Sequence, residues 1–322
     1  LEGWLRKAIE EDPEEEPPLV RYVEQEAGRH GERAVLHLRP VRVAGLLRAM
    51  LWDTHQVLAV SATLATGAQG LKGAAFDYWR GRVGVVGGIT RVIPSPFPFR
   101  ERVQLYVPQA GIVFDPSRPE YKAPEGQARY RERLVREIAA LLRVRTGGAF
   151  CLFTSYAMMR YAWQHVLPVV QGRVFMQGEL PSAELVRVFR QDGEAVLLGT
   201  RTFREGVDVP GRALSMVIID RLPFSVPDDP LWQAKVRDAG EAWFQDLALP
   251  ATLMGLKQAF GRLMRRMDDG GVVAVLDGRL RSKPYGRWLL SGLPPARLVG
   301  ELAEVEALTA ARGRPSTGGE GT

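Results

Sequence analysis

The 322-residue chain contains one cysteine, Cys151, four histidines and six lysines. A single cysteine excludes an internal disulfide and any multi-cysteine metal or iron–sulfur centre built within this chain. His30, His37, His55 and His165 are scattered without metal-ligand spacing and read as ordinary surface or packed imidazoles. None of the lysines follows a glycine, so no Gly-Lys-Ser/Thr loop is available to cradle phosphates. The dipeptide Asp-Glu never occurs. No apolar run approaches the ~18 residues that a membrane span requires. The first residues also lack the basic-then-apolar order of a secretory signal, which makes the cytoplasm the simplest expectation.

Arginine is abundant, 37 residues against six lysines. The formal net charge is +6, unevenly spread. The stretch "EEDPEEE", Glu10 to Glu16, holds six acidic residues and no basic one, so the rest of the chain carries +12. Such a balance favours a polyanionic partner. Arginine suits bidentate phosphate contacts, although genomic base composition explains the same bias equally well. The hydrophobic share of 46% and charged share of 25% fit a soluble globular protein, and the length suggests about two domains.

Residues 1–18 read as the end of a helical region followed by an acidic, proline-containing linker. Short apolar runs then alternate with helical patterns. Runs at 34–38, 57–60, 102–108, 149–153, 173–176, 195–199, 214–220 and 271–277 read as strands. Helices are expected at about 41–52, 126–146, 156–165, 182–190 and 251–267. In the second of these, Leu134, Ile138, Leu141 and Leu142 share one face. Continuous apolar strands alternating with helices imply an α/β fold with a mostly parallel sheet covered on both faces. Ligands of such sheets sit at the carboxyl ends of the strands. Attention therefore falls on residues 61–64, 154–156, 199–208, 221–224 and 278–280. The tail from about Ala310 reads as disordered.

One helix stands out. Between Leu253 and Met267, the residues Leu253, Leu256, Phe260, Leu263, Met264 and Met267 cluster on one side at ~100° per residue. Gln258, Arg262 and Arg265 cluster on the other. A solvated helix face is the plain reading of such a stripe. Against it stand Gly261, a poor helix former, and the lack of acidic partners one turn from Gln258 and Arg262. A stripe of this kind suits an anion arriving from outside.

The segment "QAFGRLMR" (258–265) fits Q-x-x-G-R-x-x-R, the last motif of superfamily two helicases. "GTRTFREGVDVPG" (199–211) and "VIIDRLPFSVPDDPL" (217–231) resemble the fifth motif and following stretch of the DinG/XPD branch. "SATL" (61–64) resembles motif three, and "SPFPFRERVQLYVP" (95–108) the start of the second motor domain. "FTSYAMM" (153–159) resembles motif four. The order matches over about residues 57–280, so the chain resembles the C-terminal part of a DinG-family DNA helicase with a RecA-like fold. Arg204 departs from the pattern, which usually has tryptophan there. The resemblance implies that residues 1–65 are a remnant of the first motor domain. Residues 66–300 would be the second motor domain, and 301–322 a helix end and tail.

In that family ATP and Mg²⁺ are held mainly by the first motor domain of the same protein, whose phosphate loop and magnesium motif are missing here. The resemblance then assigns Arg262 and Arg265 as arginine fingers and Gln258 as a phosphate- or water-positioning residue. Glu205 and Asp208 would face the nucleotide. Asp208 reads equally as a loop carboxylate capping a helix. Thr154, Ser155, Tyr156, Thr200 and Thr202 would meet single-stranded DNA, although N-capping explains such hydroxyls equally well. Ser61 and Thr63 would couple nucleotide state to strand grip. The implied whole is an ATP-dependent DNA helicase moving 5′ to 3′, with this chain inactive alone. An iron–sulfur cluster is not possible within it, and no membrane is expected. The alternative is a non-hydrolysing module that binds single-stranded nucleic acid or regulates.

Overall fold

The computed structural model describes residues 18–28, 31–66, 74–109, 115–200 and 214–313. In chain order its main elements are β1 (Leu19–Gly28), β2 (Gly31–Pro40), α1 (Asp77–Val83), β3 (Val103–Tyr106) and α2 (Pro124–Arg143). Next come β4 (Ala149–Phe153), α3 (Tyr156–Val166), β5 (Val174–Met176), α4 (Ser182–Asp192), β6 (Val196–Thr200) and β7 (Met216–Ile219). The chain continues through α5 (Pro230–Ala239), α6 (Leu249–Leu263), β8 (Gly271–Val275), α7 (Pro284–Gly292), β9 (Arg297–Val299) and α8 (Leu302–Gly313). Two compact units result: Leu1–Ile93 with Phe224–Met254, and Pro94–Pro223 with Gly255–Thr322.

The second unit is built on a seven-stranded sheet in the order β5-β6-β4-β7-β8-β3-β9, with every pair parallel. Strands β3, β4, β6, β7 and β8 are buried along their whole length, as the continuous apolar runs predict. Period-two alternation divides them between two faces. Cys151, Phe153, Val196, Leu198, Met216 and Ile218 pack with Leu134, Ile138, Leu141 and Leu142 of α2 and Met158 and Met159 of α3. The intervening residues Phe150, Leu152, Leu197 and Val217 are equally buried, as are Leu185 and Phe189 of α4 and Leu256 and Phe260 of α6. This is the RecA-like α/β fold, with helices flanking the sheet.

At the start of β8 the backbone comes so close to its neighbour that only glycine fits. A Cβ on Gly271 would lie 2.0 Å from the Ser215 carbonyl oxygen. Cys151 is a buried core thiol, and burial pushes its pKa up to about 12.

The first unit contains a separate antiparallel hairpin, with β1 and β2 in register from Leu19↔Pro40 to Gly28↔Gly31. The run at 34–38, expected as a buried strand, is therefore half of this hairpin, and none of its residues is buried. Its antiparallel partner directly precedes it in the chain, so no crossover is needed. The helix expected at 41–52 forms as an α turn, Ala44–Leu47, running into a π turn, Arg48–Trp52. The Trp52 indole N–H donates to the Val83 carbonyl and its ring meets Trp79 edge-on. Gly84 caps α1 at φ 78°, where a Cβ would strike Ala44. In α5, Asp229 accepts the Trp232 N–H at 2.8 Å and Pro230 opens the first turn. Arg42 grips Asp238 through its Nε at 2.8 Å.

The run at 57–60 corrects another expectation, because it is not a strand. Leu58 is 88% and Val60 82% exposed. A strand needs paired backbone groups, and no described strand pairs with this run. β1, β9, α1, α5 and α7 were not anticipated, and α8 lies where a helix end was expected.

Candidate functional site

The carboxyl ends of β4, β6 and β7 in the second unit are joined by side-chain hydrogen bonds. Thr154 follows β4. Its N–H donates to Asp220 Oδ1 at 2.9 Å and its hydroxyl to Oδ2 at 3.2 Å. Asp220 follows β7 and is 1% exposed. Burial pushes its carboxyl up to about 6, partly offset by Arg221 and by the Thr154 bonds. Ser155 is the N-cap of α3, its Oγ accepting the Met158 N–H at 3.2 Å. Tyr156 opens that helix with its ring half exposed.

Gln177, just past β5, ties two of these ends together. Its Nε2 donates to the Tyr156 hydroxyl at 2.8 Å. Its Oε1 accepts the Thr200 N–H at 2.7 Å and the Thr200 hydroxyl at 3.0 Å. Thr154, Ser155, Tyr156 and Thr200 thus occupy one polar region at the strand ends. Thr200 is buried within it.

At the end of β8, Asp277 is fully buried and clamps Arg279 through two nitrogens, at 2.9 and 2.6 Å. The same carboxylate accepts the Leu222 N–H at 2.8 Å. Residues 278–280 and 221–222 are therefore pinned to each other.

Helix α6 buries Leu253, Leu256, Ala259, Phe260 and Leu263 completely, while Gln258 and Arg262 lie half-buried on another side. The expected helix reached Met267, but it stops at Leu263. Asp269, itself buried, takes the backbone N–H groups of Arg265 and Arg266 at 2.9 and 2.7 Å. That carboxylate closes the turn that replaces the last helical turn. Arg265 therefore sits beyond the helix, and Met267, expected on its apolar face, is exposed. Burial lowers the pKa of Arg262. Burial also lowers that of Arg265, with repulsion from Arg190 of α4 adding to it and Asp269 opposing.

Ser61 and Thr63 belong to the first unit. Their hydroxyl oxygens lie 3.1 Å apart and the Thr63 N–H donates to Ser61 Oγ. Thr202, Arg204, Glu205 and Asp208 lie outside the described residues. Gln177, Asp220 and Arg190 were missed in the sequence. Gln177 and Asp220 carry the signal that located the others, a polar residue at a strand's carboxyl end. Asp220 even lies within a helicase-like block, but the resemblance gives it no role, and Gln177 lies in no such block.

Comparison with known proteins fixes the relationship. The family described as "Helicase C-terminal domain" matches residues 138–296. Residues 138–296 are a helicase C-terminal domain, and the relatives that follow make it one of the DinG type. The chain is 37% identical over 272 residues to the ATP-dependent DNA helicase YoaA of Escherichia coli, covering 83% of this chain and 40% of that protein. It is 35% identical over 286 residues to the ATP-dependent helicase DinG of Mycobacterium tuberculosis, covering 86% and 40%. A Bacillus subtilis relative named 3′-5′ exonuclease DinG is 31% identical over 297 residues, covering 88% and 30%. The chain thus spans about two fifths or less of these relatives. A solved XPD helicase shares the fold at a TM-score of 0.57 and 19% identity, covering 83% of this chain and 46% of that one. Among the described residues no helix is long and apolar enough to cross a membrane.

Proposed function

We propose that the second unit acts as the second motor domain of an ATP-dependent DNA helicase, moving 5′ to 3′ along single-stranded DNA. Its partner is a first motor domain of the same protein that holds ATP and Mg²⁺. The observation that carries the reading is α6. Its apolar side is wholly buried, which leaves Gln258 and Arg262 on the other side, with Arg265 just past the helix end. Phosphoryl transfer spreads negative charge over the transferring oxygens, and a guanidinium placed there stabilises that charge. Arg262 and Arg265 supply it, and Gln258 positions a phosphate or the attacking water. Both remain cationic at neutral pH, because a guanidinium is not deprotonated in proteins. Glu205 and Asp208 complete the nucleotide-facing set.

The strand-end network forms part of the single-strand track in this reading. Tyr156 presents a half-exposed ring and Ser155 a neutral donor suited to a backbone without reading its sequence. Thr202 adds a further hydroxyl, and Thr154 and Thr200 hold the surface in shape through their bonds to Asp220 and Gln177. Ser61 and Thr63 couple the two activities. Related proteins named as ATP-dependent DNA helicases support this assignment.

The test is a chimera joining this chain to the portion of the Escherichia coli relative that it does not span. The chimera should hydrolyse ATP in response to single-stranded DNA, and this chain alone should not. In the chimera, Arg265→Ala should lower kcat by roughly 10³-fold or more and leave nucleotide affinity within about threefold. Unchanged turnover would remove the assigned role. A chimera that binds DNA but never hydrolyses ATP would favour the non-hydrolysing alternative.

A further inference from the structure

Beside the end of β4, within the second unit, lies an open cleft of about 350 Å³. Tyr121, Tyr130, Arg131, Ser155 and Arg221 are among its walls, and among the described residues no acidic side chain lines it. Both guanidinium groups lean on aromatic rings. Arg221 is 5.5 Å from the Tyr130 centroid, and Arg131 is 5.4 Å from that of Tyr161. Stacking fixes the plane of a guanidinium and leaves its edge N–H groups free in direction to donate. The buried Nε of Arg221 makes no hydrogen bond among the described residues. Its carboxylate neighbour there, Asp220, is 3.7 Å away and already accepts twice from Thr154. Ser155 Oγ accepts from Met158, so the hydroxyl hydrogen can still be given to a ligand.

Packing alone would account for two arginines laid over tyrosines. It does not account for a cleft whose described lining holds two guanidinium groups and no carboxylate, with Arg221 paired only at 3.7 Å to Asp220 behind it and Arg131 exposed. Such a lining holds a positive potential that an anion relieves. The donor set is two planar forks and a hydroxyl, which matches the oxygens of a phosphate and contains nothing arranged to read a base edge.

We propose that this cleft binds a phosphodiester group of single-stranded nucleic acid, with Arg131 and Arg221 on its oxygens and Ser155 as a third donor. The inference rests on the reading that the strand ends meet a single strand, and it carries that track past Tyr156 to the α2 side of the sheet. Arg131 lies outside every helicase-like block of the sequence, and Arg221 lies within one that gives it no role.

The experiment measures binding of a fluorescent 20-mer oligothymidine to the whole chain by anisotropy, across salt concentrations. Arg131→Gln, Arg221→Gln and the double variant are compared with the parent and with Tyr156→Ala. Each single variant should bind roughly 3–10-fold more weakly. The slope of log affinity against log salt should flatten by about 0.7 for each phosphate left without its arginine. Inorganic phosphate, added at constant ionic strength, should compete only weakly. If Tyr156→Ala weakens binding while the arginine variants keep the parent's affinity and slope, the cleft is overturned and the strand track survives. If the parent does not bind the oligonucleotide, both are overturned. If inorganic phosphate binds the cleft but the arginine variants leave oligonucleotide binding intact, the site takes free anions and the strand assignment fails. Should Arg221→Gln disturb folding, the exposed Arg131 decides the matter, since its substitution leaves the core untouched.

Discussion

Asp220 shows how much one buried carboxyl can govern. It holds Thr154 by both backbone and hydroxyl while almost wholly shielded from water. Burial raises its pKa from 3.8 to about 6, so the folded chain binds that proton more tightly than the unfolded chain does. The stability it contributes is full below about pH 4 and is lost as the pH rises through about 6, a change of roughly 3 kcal/mol. Asp220→Asn keeps an oxygen for the Thr154 N–H and has no charge to bury. Relative to the parent, the variant should therefore gain stability between about pH 4 and pH 7, as read from urea unfolding at several pH values. A difference that stays flat with pH would show that Asp220 does not titrate there. At this scale the sequence yielded position rather than role: Thr154 follows a strand and Arg262 lies away from the buried side of its helix, as the block pattern and helical period expect. It was opaque for Gln177, because an isolated glutamine carries no periodicity. Only the fold brings it to within 2.8 Å of Tyr156.

Elements were read best where packing repeats. Leu134, Ile138, Leu141 and Leu142 fall on one helical face in the sequence and on the core in the fold. The parallel strands announced themselves by unbroken apolar runs. The end of α6 was misplaced because the apolar spacing continues through Met264 and Met267, while Asp269 pulls the next two amides out of the helix. Residues 57–60 were misread because an apolar run says what a segment wants to bury, not that a sheet is at hand. Gly261 offers a test at this scale. It lies in α6, is exposed, and a Cβ there would meet nothing within 4 Å. Gly261→Ala should raise the unfolding free energy by roughly 0.5–1 kcal/mol, measured by chemical denaturation. If it lowers stability instead, helix propensity does not govern that position.

At the scale of the whole molecule, the alternation of strands and helices was enough to foresee a covered parallel sheet. It did not give the strand order, which depends on long-range pairing that local patterns do not encode. β3 enters first, yet its neighbours are β8 and β9, roughly 165 to 195 residues later. β4, β6 and β7 pair over shorter separations. Distant pairing is slow because loop closure precedes the contacts that reward it. Pulsed hydrogen exchange during refolding should therefore protect the amides of β4 and β6 before those of β3, and simultaneous protection would contradict this order. The same arrangement matters on the ribosome. Val103 to Tyr106 leave the exit tunnel long before Arg297 is translated, so for tens of seconds at an ordinary elongation rate of ~5–20 residues per second the nascent sheet carries an orphaned apolar segment, a natural place for a chaperone to hold the growing chain.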